Sequence, residues 1–199
     1  MNTDNCNYRE LLNSLSSSLY NTRRKALDEI LRNLNLNIPD SSWLKRSFLL
    51  DPASTKYHGN FEGGLISHSA NVALTLMDYQ DRGICKFREK RSPIIVGLFH
   101  DLCKAGTYVG EYNEKTHSWV YNKSNNDIWQ GHATKTLGLI CSGVVEGLTL
   151  NEEEALCIRY HMGAYEKDDW NGFGKAIEKY STVLYTHTAD MYATHSLSV

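Results

Sequence analysis

The residues of this chain that could do chemistry are histidines and aspartates at or near the ends of apolar segments. The clearest example is the adjacent pair His100-Asp101, which follows the apolar run 96–99 and precedes Lys104. Adjacent side chains on a helix differ by about 100° in direction but can still converge on one object beside the helix. A metal ion is such an object. An isolated pair is equally explained by a helix end at which His100 and Lys104 complement the dipole.

Four further side chains of the same types indicate that the pair belongs to a larger site. In chain order they are His68, His132, His161 and Asp190. Each lies in a segment with the pattern of a helix or a helix end, so the ligands must meet in space because they do not meet in sequence. Imidazole and carboxylate together suit transition-metal ions, and one carboxylate can bridge two ions about 3.5–4 Å apart.

The order of these residues resembles the signature of the HD superfamily of metal-dependent phosphohydrolases. Further segments resemble a subgroup of bacterial and phage HD-domain hydrolases that is similar to the catalytic domain of HD-type 3′→5′ exoribonucleases. The segments that carry the resemblance are 52–65, 131–132, 159–163 and 187–191. The resemblance extends from about Pro52 to the C-terminus, whereas residues 1–50 resemble family members only in being helical.

The resemblance implies a divalent-metal-dependent phosphohydrolase that cleaves a nucleotide-like phosphoester through a metal-activated hydroxide. It implies two ions, drawn from Mn, Fe, Mg, Ni, Co and Zn. One ion would be held by His68, His100, Asp101 and Asp190, and the other by His132 and His161 with Asp101 bridging. Tyr160 stands where some two-metal relatives carry another histidine, so the alternative that His132 and His161 contact phosphate stays open.

The expected catalytic residues are Asp101 and Lys104, the lysine acting as a point charge beside the phosphate. His58, Glu62 and His187 flank the ligand positions and could orient them, because metal-bound imidazoles usually donate their other N–H to a partner. Exposed or helix-packing polar side chains would explain these three residues equally well.

The elements that must position these residues are mostly helices. We predict an all-α fold, an HD-domain helical bundle with a small β-hairpin insertion, in one domain of residues 1–199. Residues 1–50 would form a helical scaffold packed on a metal-binding core of residues 51–199. The predicted helices are 8–19, 23–34, 43–50, 65–80, 92–101, 129–141, 152–161 and 175–194, and the strands lie near 107–112 and 117–121.

Local signals refine these boundaries. Ser92-Pro93 is predicted as an N-cap and first helical residue, and Asn151 with Glu154 as a capping box. Residues 162–173 are predicted to form a loop that could cover a pocket.

Composition limits the possible partners. The formal net charge is −2 and the pI is about 6.4. The chain therefore lacks the excess of positive charge that usually accompanies binding of long duplex nucleic acid. No apolar run approaches ~18 residues and no signal segment is present, so a cytoplasmic protein without a membrane partner is expected. Five cysteines without CxxC spacing predict neither disulfides nor a thiolate zinc site, and Cys103 is interpreted as a core side chain.

The expected partner is therefore a small phosphorylated substrate, a nucleotide or a short oligonucleotide. Within the enzyme class, the alternatives are a 3′→5′ nuclease and a cyclic-(oligo)nucleotide phosphodiesterase. From a different class, the alternative is a non-catalytic sensor that binds a metal or a nucleotide.

Overall fold

The computed structural model describes residues 8–124, 129, 131–163 and 169–197. Within these ranges the chain is mostly helical and carries one two-stranded antiparallel sheet, which confirms the helical fold with a β-hairpin. The helices are α1 (Tyr8–Leu15), α2 (Tyr20–Asn33), α3 (Trp43–Leu50), α4 (Gly64–Asp81), α5 (Ser92–Phe99), α6 (His132–Cys141), α7 (Glu152–Arg159), α8 (Trp170–Lys179) and α9 (Thr182–His195). The strands are β1 (Tyr108–Asn113) and β2 (Ser118–Lys123), and a 3₁₀ turn spans Leu102–Lys104. Among the described residues, no helix combines the length and the apolar character that a membrane crossing requires.

The N-terminal helices share the hydrophobic core of the later ones. Leu12 and Leu15 of α1 and Leu27 and Ile30 of α2 are fully buried, and they belong to one continuous cluster with α4, α5, α7 and α9. Burial of a leucine or isoleucine side chain contributes roughly 1.5–3 kcal/mol. Helices α1 and α2 therefore hold the rest of the fold in place without reaching the candidate ligands.

Close packing of α4 against α5 sets the position of the central histidines. A Cβ atom on Gly97 of α5 would clash with the backbone of Ala73 on α4, so the two helices approach more closely than any larger residue allows. Leu76 and Val96, which share this core, are fully buried. Because His68 lies on α4 and His100 follows α5, this approach brings their side chains together.

The start of α7 is fixed by the predicted capping box. Asn151 Oδ1 accepts a hydrogen bond from Glu154 N at 2.9 Å, and Glu154 Oε2 accepts one from Asn151 N at 3.0 Å. The prediction for Ser92 was wrong, because the N-cap of α5 is Arg91 and Ser92 is the first helical residue. The buried Ser92 hydroxyl donates to Glu154 Oε1 at 2.8 Å instead. The Ser92 side chain thus bonds to Glu154 of α7 and does not cap its own helix, and this bond connects α5 to α7.

The helix predicted over 175–194 is in fact two helices. Tyr180 ends α8 in an extended conformation (φ −139°, ψ 102°), and α9 begins at Thr182. Hydrogen bonds to α7 stabilise the break between the two helices. The Tyr180 hydroxyl donates to Glu152 Oε2 at 2.7 Å, and the Thr182 hydroxyl donates to Glu153 Oε1 at 2.7 Å. Two contacts to the start of α7 therefore override a continuous helical pattern.

Other boundaries also differ from those predicted. Helix α1 ends at Leu15 and not at residue 19, and α2 begins at Tyr20 and not at residue 23. Helix α6 begins at His132 and not at residue 129. Residues 170–173 of the predicted loop 162–173 belong to α8, and residues 164–168 of that loop lie outside the described part.

The predicted hairpin is present and extends away from the core. Tyr108 pairs with Lys123 and Asn113 with Ser118, and most of its side chains are exposed. Its base is anchored by a hydrogen bond from Ser124 N to Thr107 O at 2.9 Å. The last residue of β2 is thereby fixed beside the 3₁₀ turn.

Candidate metal centre

His68 and His100 form the centre of the cluster. Their Nε2 atoms are 3.3 Å apart, and both side chains are buried. His100 Nδ1 lies 2.8 Å from Gly97 O, so Nδ1 carries the hydrogen that this bond needs. In the neutral imidazole, Nε2 of His100 then presents a lone pair to the cluster, as a metal ligand must.

Asp101 and Asp190 lie beside this pair of histidines. Asp190 Oδ1 lies 3.0 Å from His68 Nε2 and 3.7 Å from His100 Nε2. Asp101 Oδ2 lies 3.4 Å from His100 Nε2 and 3.7 Å from His68 Nε2. The structure therefore brings together four predicted ligands from three separate segments, and His68, His100 and Asp101 alone could hold a metal ion.

His161 lies next to His100, with ring centroids 5.0 Å apart, and faces the other carboxylate oxygen of Asp101. Its Nδ1 lies 2.8 Å from Ile158 O, which again directs the lone pair of Nε2 inward, and Nε2 lies 3.4 Å from Asp101 Oδ1. Within the described part of the chain, these two buried atoms have no hydrogen-bond partner. Leaving a buried polar atom unpaired costs about 1–3 kcal/mol, so two acceptors facing each other fit a cation between or beside them.

His132 joins the cluster next to a residue that sequence reasoning missed. Asp101, Cys103 and His132 each offer one atom that could bind a metal ion, and these three atoms lie within 4.8 Å of one another. Cys103 Sγ lies 3.4 Å from His132 Nδ1. Cys103 is buried, as expected for a core side chain, but it also faces His132. No local signal marked this role, because residues i and i+2 of a helical turn do not share a face and the contact arises only when α6 packs on the 3₁₀ turn.

The charges of the cluster also favour a cation. Two carboxylates, Asp101 and Asp190, face a single ammonium group, Lys104, whose Nζ lies 2.6 Å from Asp101 Oδ2. Burial alone would raise the pKa of Asp101, but Lys104 and His100 outweigh it and hold this pKa well below its usual value. Burial would lower the pKa of His100, whereas the two carboxylates raise it to about 10, so His100 is protonated when no metal ion is bound and a bound ion would take the place of this proton. The pKa of Asp190 is likewise held well below its usual value, against burial, by His100 and His68, so both carboxylates are available as anionic ligands.

The three flanking residues have different positions. The ring of His58 lies 4.9 Å from that of His68, and burial together with His68 lowers the pKa of His58 to about 4. His187 Nδ1 lies 2.7 Å from the backbone oxygen of His161, so it contacts the chain that carries a ligand. Glu62 points elsewhere, with a side chain 63% exposed and paired to Arg23 Nη2 at 2.9 Å.

Two cavities open onto the cluster. The larger, of about 740 Å³, is lined by Asp101, Lys104 and Asp190 together with Tyr57, His58, Met162, His187, Met191, Thr194 and His195. The smaller, of about 150 Å³, lies on the side of Cys103 and His132. Lys104 lines both cavities. A ligand at the cluster could therefore extend in two directions.

Comparisons of the chain with protein-family models, with curated proteins and with solved structures found no significant match. The case for a metal centre therefore rests on the chemistry and geometry of the chain's own residues.

Proposed function

We propose that this protein is a divalent-metal-dependent phosphohydrolase with the helical bundle of the HD superfamily, acting on a nucleotide-like phosphoester. The observation that carries the proposal is the two-sided environment of Asp101. One carboxylate oxygen faces His68 and His100, and the other faces His161. A carboxylate placed in this way can coordinate one ion through each oxygen and so bridge two ions.

The residues present would hold two ions. His68, His100, Asp101 and Asp190 form the first set of ligands. His161, His132 and Asp101 form the second, and Cys103 is close enough to take part in it. When bound, divalent ions at such a site activate water as a nucleophile and neutralise charge on the phosphoryl oxygens.

The chain's own groups contribute position and charge. Lys104 lies between the two cavities, so its ammonium group would contact a phosphate bound at the cluster. The backbone oxygens of Gly97 and Ile158 hold the rings of His100 and His161 in orientation. The larger cavity has mostly apolar walls and is of the size that ligand-binding clefts usually have, so it would hold the nucleoside part.

The experiment that tests the proposal is hydrolysis of a nucleotide panel, followed by phosphate release and by chromatography of the nucleotide products, with protein loaded separately with Mn²⁺, Fe²⁺, Mg²⁺, Ni²⁺, Co²⁺ and Zn²⁺. The panel contains nucleoside mono- and diphosphates, short oligonucleotides and cyclic (oligo)nucleotides. Turnover that disappears in Asp101→Ala would support the proposal. A preference for oligonucleotide ends would make the protein a 3′→5′ nuclease, and a preference for cyclic substrates would make it a cyclic-nucleotide phosphodiesterase. Metal and nucleotide binding without turnover would indicate a sensor.

A further inference from the structure

The buried sulfur of Cys103 lies among candidate metal ligands. The side chain is 2% exposed, and Sγ lies 3.4 Å from His132 Nδ1. Sγ, a carboxylate oxygen of Asp101 and a ring nitrogen of His132 all lie within 4.8 Å of one another. A cysteine that only fills space in a core needs nothing but apolar neighbours, whereas this sulfur is next to a carboxylate and an imidazole.

The distance between the sulfur and the imidazole suits coordination of one ion by both side chains. A tetrahedral zinc ion binds a thiolate at about 2.3 Å and an imidazole nitrogen at about 2.0–2.1 Å, which places the two ligand atoms about 3.6 Å apart. The observed 3.4 Å is close to this value, so the side chains would have to move little to bind an ion. A thiol that donates a hydrogen bond to the imidazole gives a similar distance, with a proton in the place of the ion.

Hydrogen bonds fix the backbone of Cys103 against α6 before any ion binds. Cys103 N donates to Thr136 Oγ1 at 3.2 Å, and the Thr136 hydroxyl donates to His100 O at 3.2 Å. Thr136 lies four residues after His132, so both side chains are on the same face of α6. Cys103 O accepts a hydrogen bond from the Thr107 hydroxyl at 2.8 Å. These bonds hold the sulfur and the imidazole side by side.

The smaller cavity gives an ion a path to this position. It is lined by both Cys103 and His132, and its volume is about 150 Å³. This volume equals that of roughly five water molecules, which is enough for an ion and the water bound to it.

We propose that Cys103 is a thiolate ligand of the second metal ion, together with His132 and Asp101, and that this position takes a thiophilic ion such as Zn²⁺, Co²⁺ or Fe²⁺. The inference rests on the proposed function, since it concerns the second of the two ligand sets assigned there. A soft thiolate selects against Mg²⁺, whereas the imidazole and carboxylate ligands around His68 and His100 suit a wider range of ions. The two positions therefore differ in metal preference.

Binding of the ion displaces the proton of the thiol. Burial and the charge of Asp101 raise the pKa of Cys103 to about 12, so the metal-free side chain is a neutral thiol. A metal ion deprotonates the thiol that it coordinates, and the proton leaves to water.

Titration of metal-free protein with Co²⁺ tests the ligand directly. A thiolate bound to Co²⁺ gives an intense charge-transfer band in the near ultraviolet, which imidazole and carboxylate ligands do not give. The variants are Cys103→Ser and Cys103→Ala, and Cys85→Ser is the matched control because Cys85 is also buried but is not a candidate ligand.

We expect the band in wild type and in Cys85→Ser, and its loss in both Cys103 variants. These variants should bind about one Co²⁺ per chain where wild type binds about two. The affinity for the second ion should fall by about 100-fold or more, because the loss of a residue that only orients a ligand already costs about 10–100-fold. After dialysis against equal concentrations of Zn²⁺ and Mg²⁺, wild type should hold about one Zn²⁺ more per chain than Cys103→Ser.

Two spectroscopic outcomes overturn the inference. One is wild-type protein that binds Co²⁺ without the band, a result that does not depend on the folding of any variant. The other is a band that persists in both Cys103 variants. Equal zinc content in wild type and Cys103→Ser overturns the metal preference.

The same spectra keep this inference separate from the proposed function. If the band depends on Cys103 but no nucleotide is hydrolysed, the thiolate ligand stands and the proposed function does not. If wild-type protein hydrolyses nucleotides and binds Co²⁺ without the band, the proposed function stands and the thiolate ligand does not.

Discussion

Asp101 Oδ1 and His161 Nε2 face each other at 3.4 Å in a buried centre, and within the described residues neither atom has a hydrogen-bond partner. The His161 ring is held by Ile158 O through Nδ1, so in the neutral imidazole the atom it turns towards Asp101 is an acceptor. Two such acceptors repel each other unless a cation, either a metal ion or a proton, lies between or beside them. In the same centre, the Nε2 atoms of His68 and His100 lie 3.3 Å apart, and His68 Nε2 is also 3.0 Å from Asp190 Oδ1.

Metal content should follow this geometry. We expect wild-type protein to hold about two ions per chain, Asp101→Ala about none and His161→Ala about one, because Asp101 faces both sets of ligands and His161 faces only one. Elemental analysis of the purified proteins measures the stoichiometry. Equal metal content in wild type and Asp101→Ala would contradict the centre as assigned.

Removal of metal should lower thermal stability. An ion present at 100 times its dissociation constant stabilises the folded state by about 2.7 kcal/mol. For a chain of this size, that energy corresponds to a loss of roughly 5–10 °C in Tm after treatment with a chelator. Differential scanning calorimetry measures the change, with Asp101→Ala as the control in which the chelator should have no effect. An identical Tm with and without chelator in wild type would argue against a bound ion.

Lys104 should affect turnover more than metal content. Its ammonium group lies 2.6 Å from Asp101 and lines both cavities, so Lys104→Gln removes positive charge where the phosphate would bind. We expect kcat to fall by roughly 10²-fold, the usual effect of losing one electrostatic contact to a transition state. Steady-state kinetics and elemental analysis are run together, and Lys115→Gln is the control. A variant that loses its metal would show that Lys104 supports the ligand Asp101 instead.

Arg23 should matter for stability, whereas its partner Glu62 should not. The Arg23 side chain is 2% exposed and donates to the backbone oxygens of Ser17 and Ser18 at 3.0 and 3.2 Å. We expect Arg23→Ala to lower the free energy of unfolding by about 2–4 kcal/mol, because buried hydrogen bonds and packing are lost together. Glu62→Gln should cost under about 1 kcal/mol because Glu62 is largely exposed.

Urea denaturation measures both changes. Elemental analysis should show the same metal content in Glu62→Gln as in wild type. A loss of metal from this variant would restore Glu62 as a residue that orients ligands.

The partly buried carboxyl group of Asp51 should make stability depend on pH. Burial raises its pKa, although Gly106 N, which donates to Oδ2 at 2.7 Å, the Ser47 side chain and Arg46 oppose the shift. The folded state therefore keeps this proton to a higher pH than the unfolded chain, and stability falls as pH rises from about 4 through the folded pKa. In the variant Asp51→Asn, the amide oxygen would accept the same hydrogen bond without a charge.

The free energy of unfolding of Asp51→Asn relative to wild type should consequently increase with pH above about 4. Chemical denaturation at a series of pH values measures this difference. A difference that decreases over the same range would contradict the role assigned to burial.

The sequence by itself determined the types and order of the candidate ligands and most of the helices. Apolar residues at helical spacing predicted α3 and α4 closely, and the capping box at Asn151 fixed the start of α7. The alternation of aromatic and β-branched residues around a polar turn predicted the hairpin. These features depend on neighbours within a few residues, so local physical chemistry suffices to predict them.

The tertiary structure alone decided the features that depend on distant partners. The break at Tyr180 requires Glu152 and Glu153 of α7, and the burial of Ser92 requires Glu154. The spacing of His68 and His100 requires the close approach of α4 and α5, and the contact between Cys103 and His132 requires α6 to pack on the 3₁₀ turn. Residues far apart in sequence meet only when helices pack, so no local pattern encodes these distances.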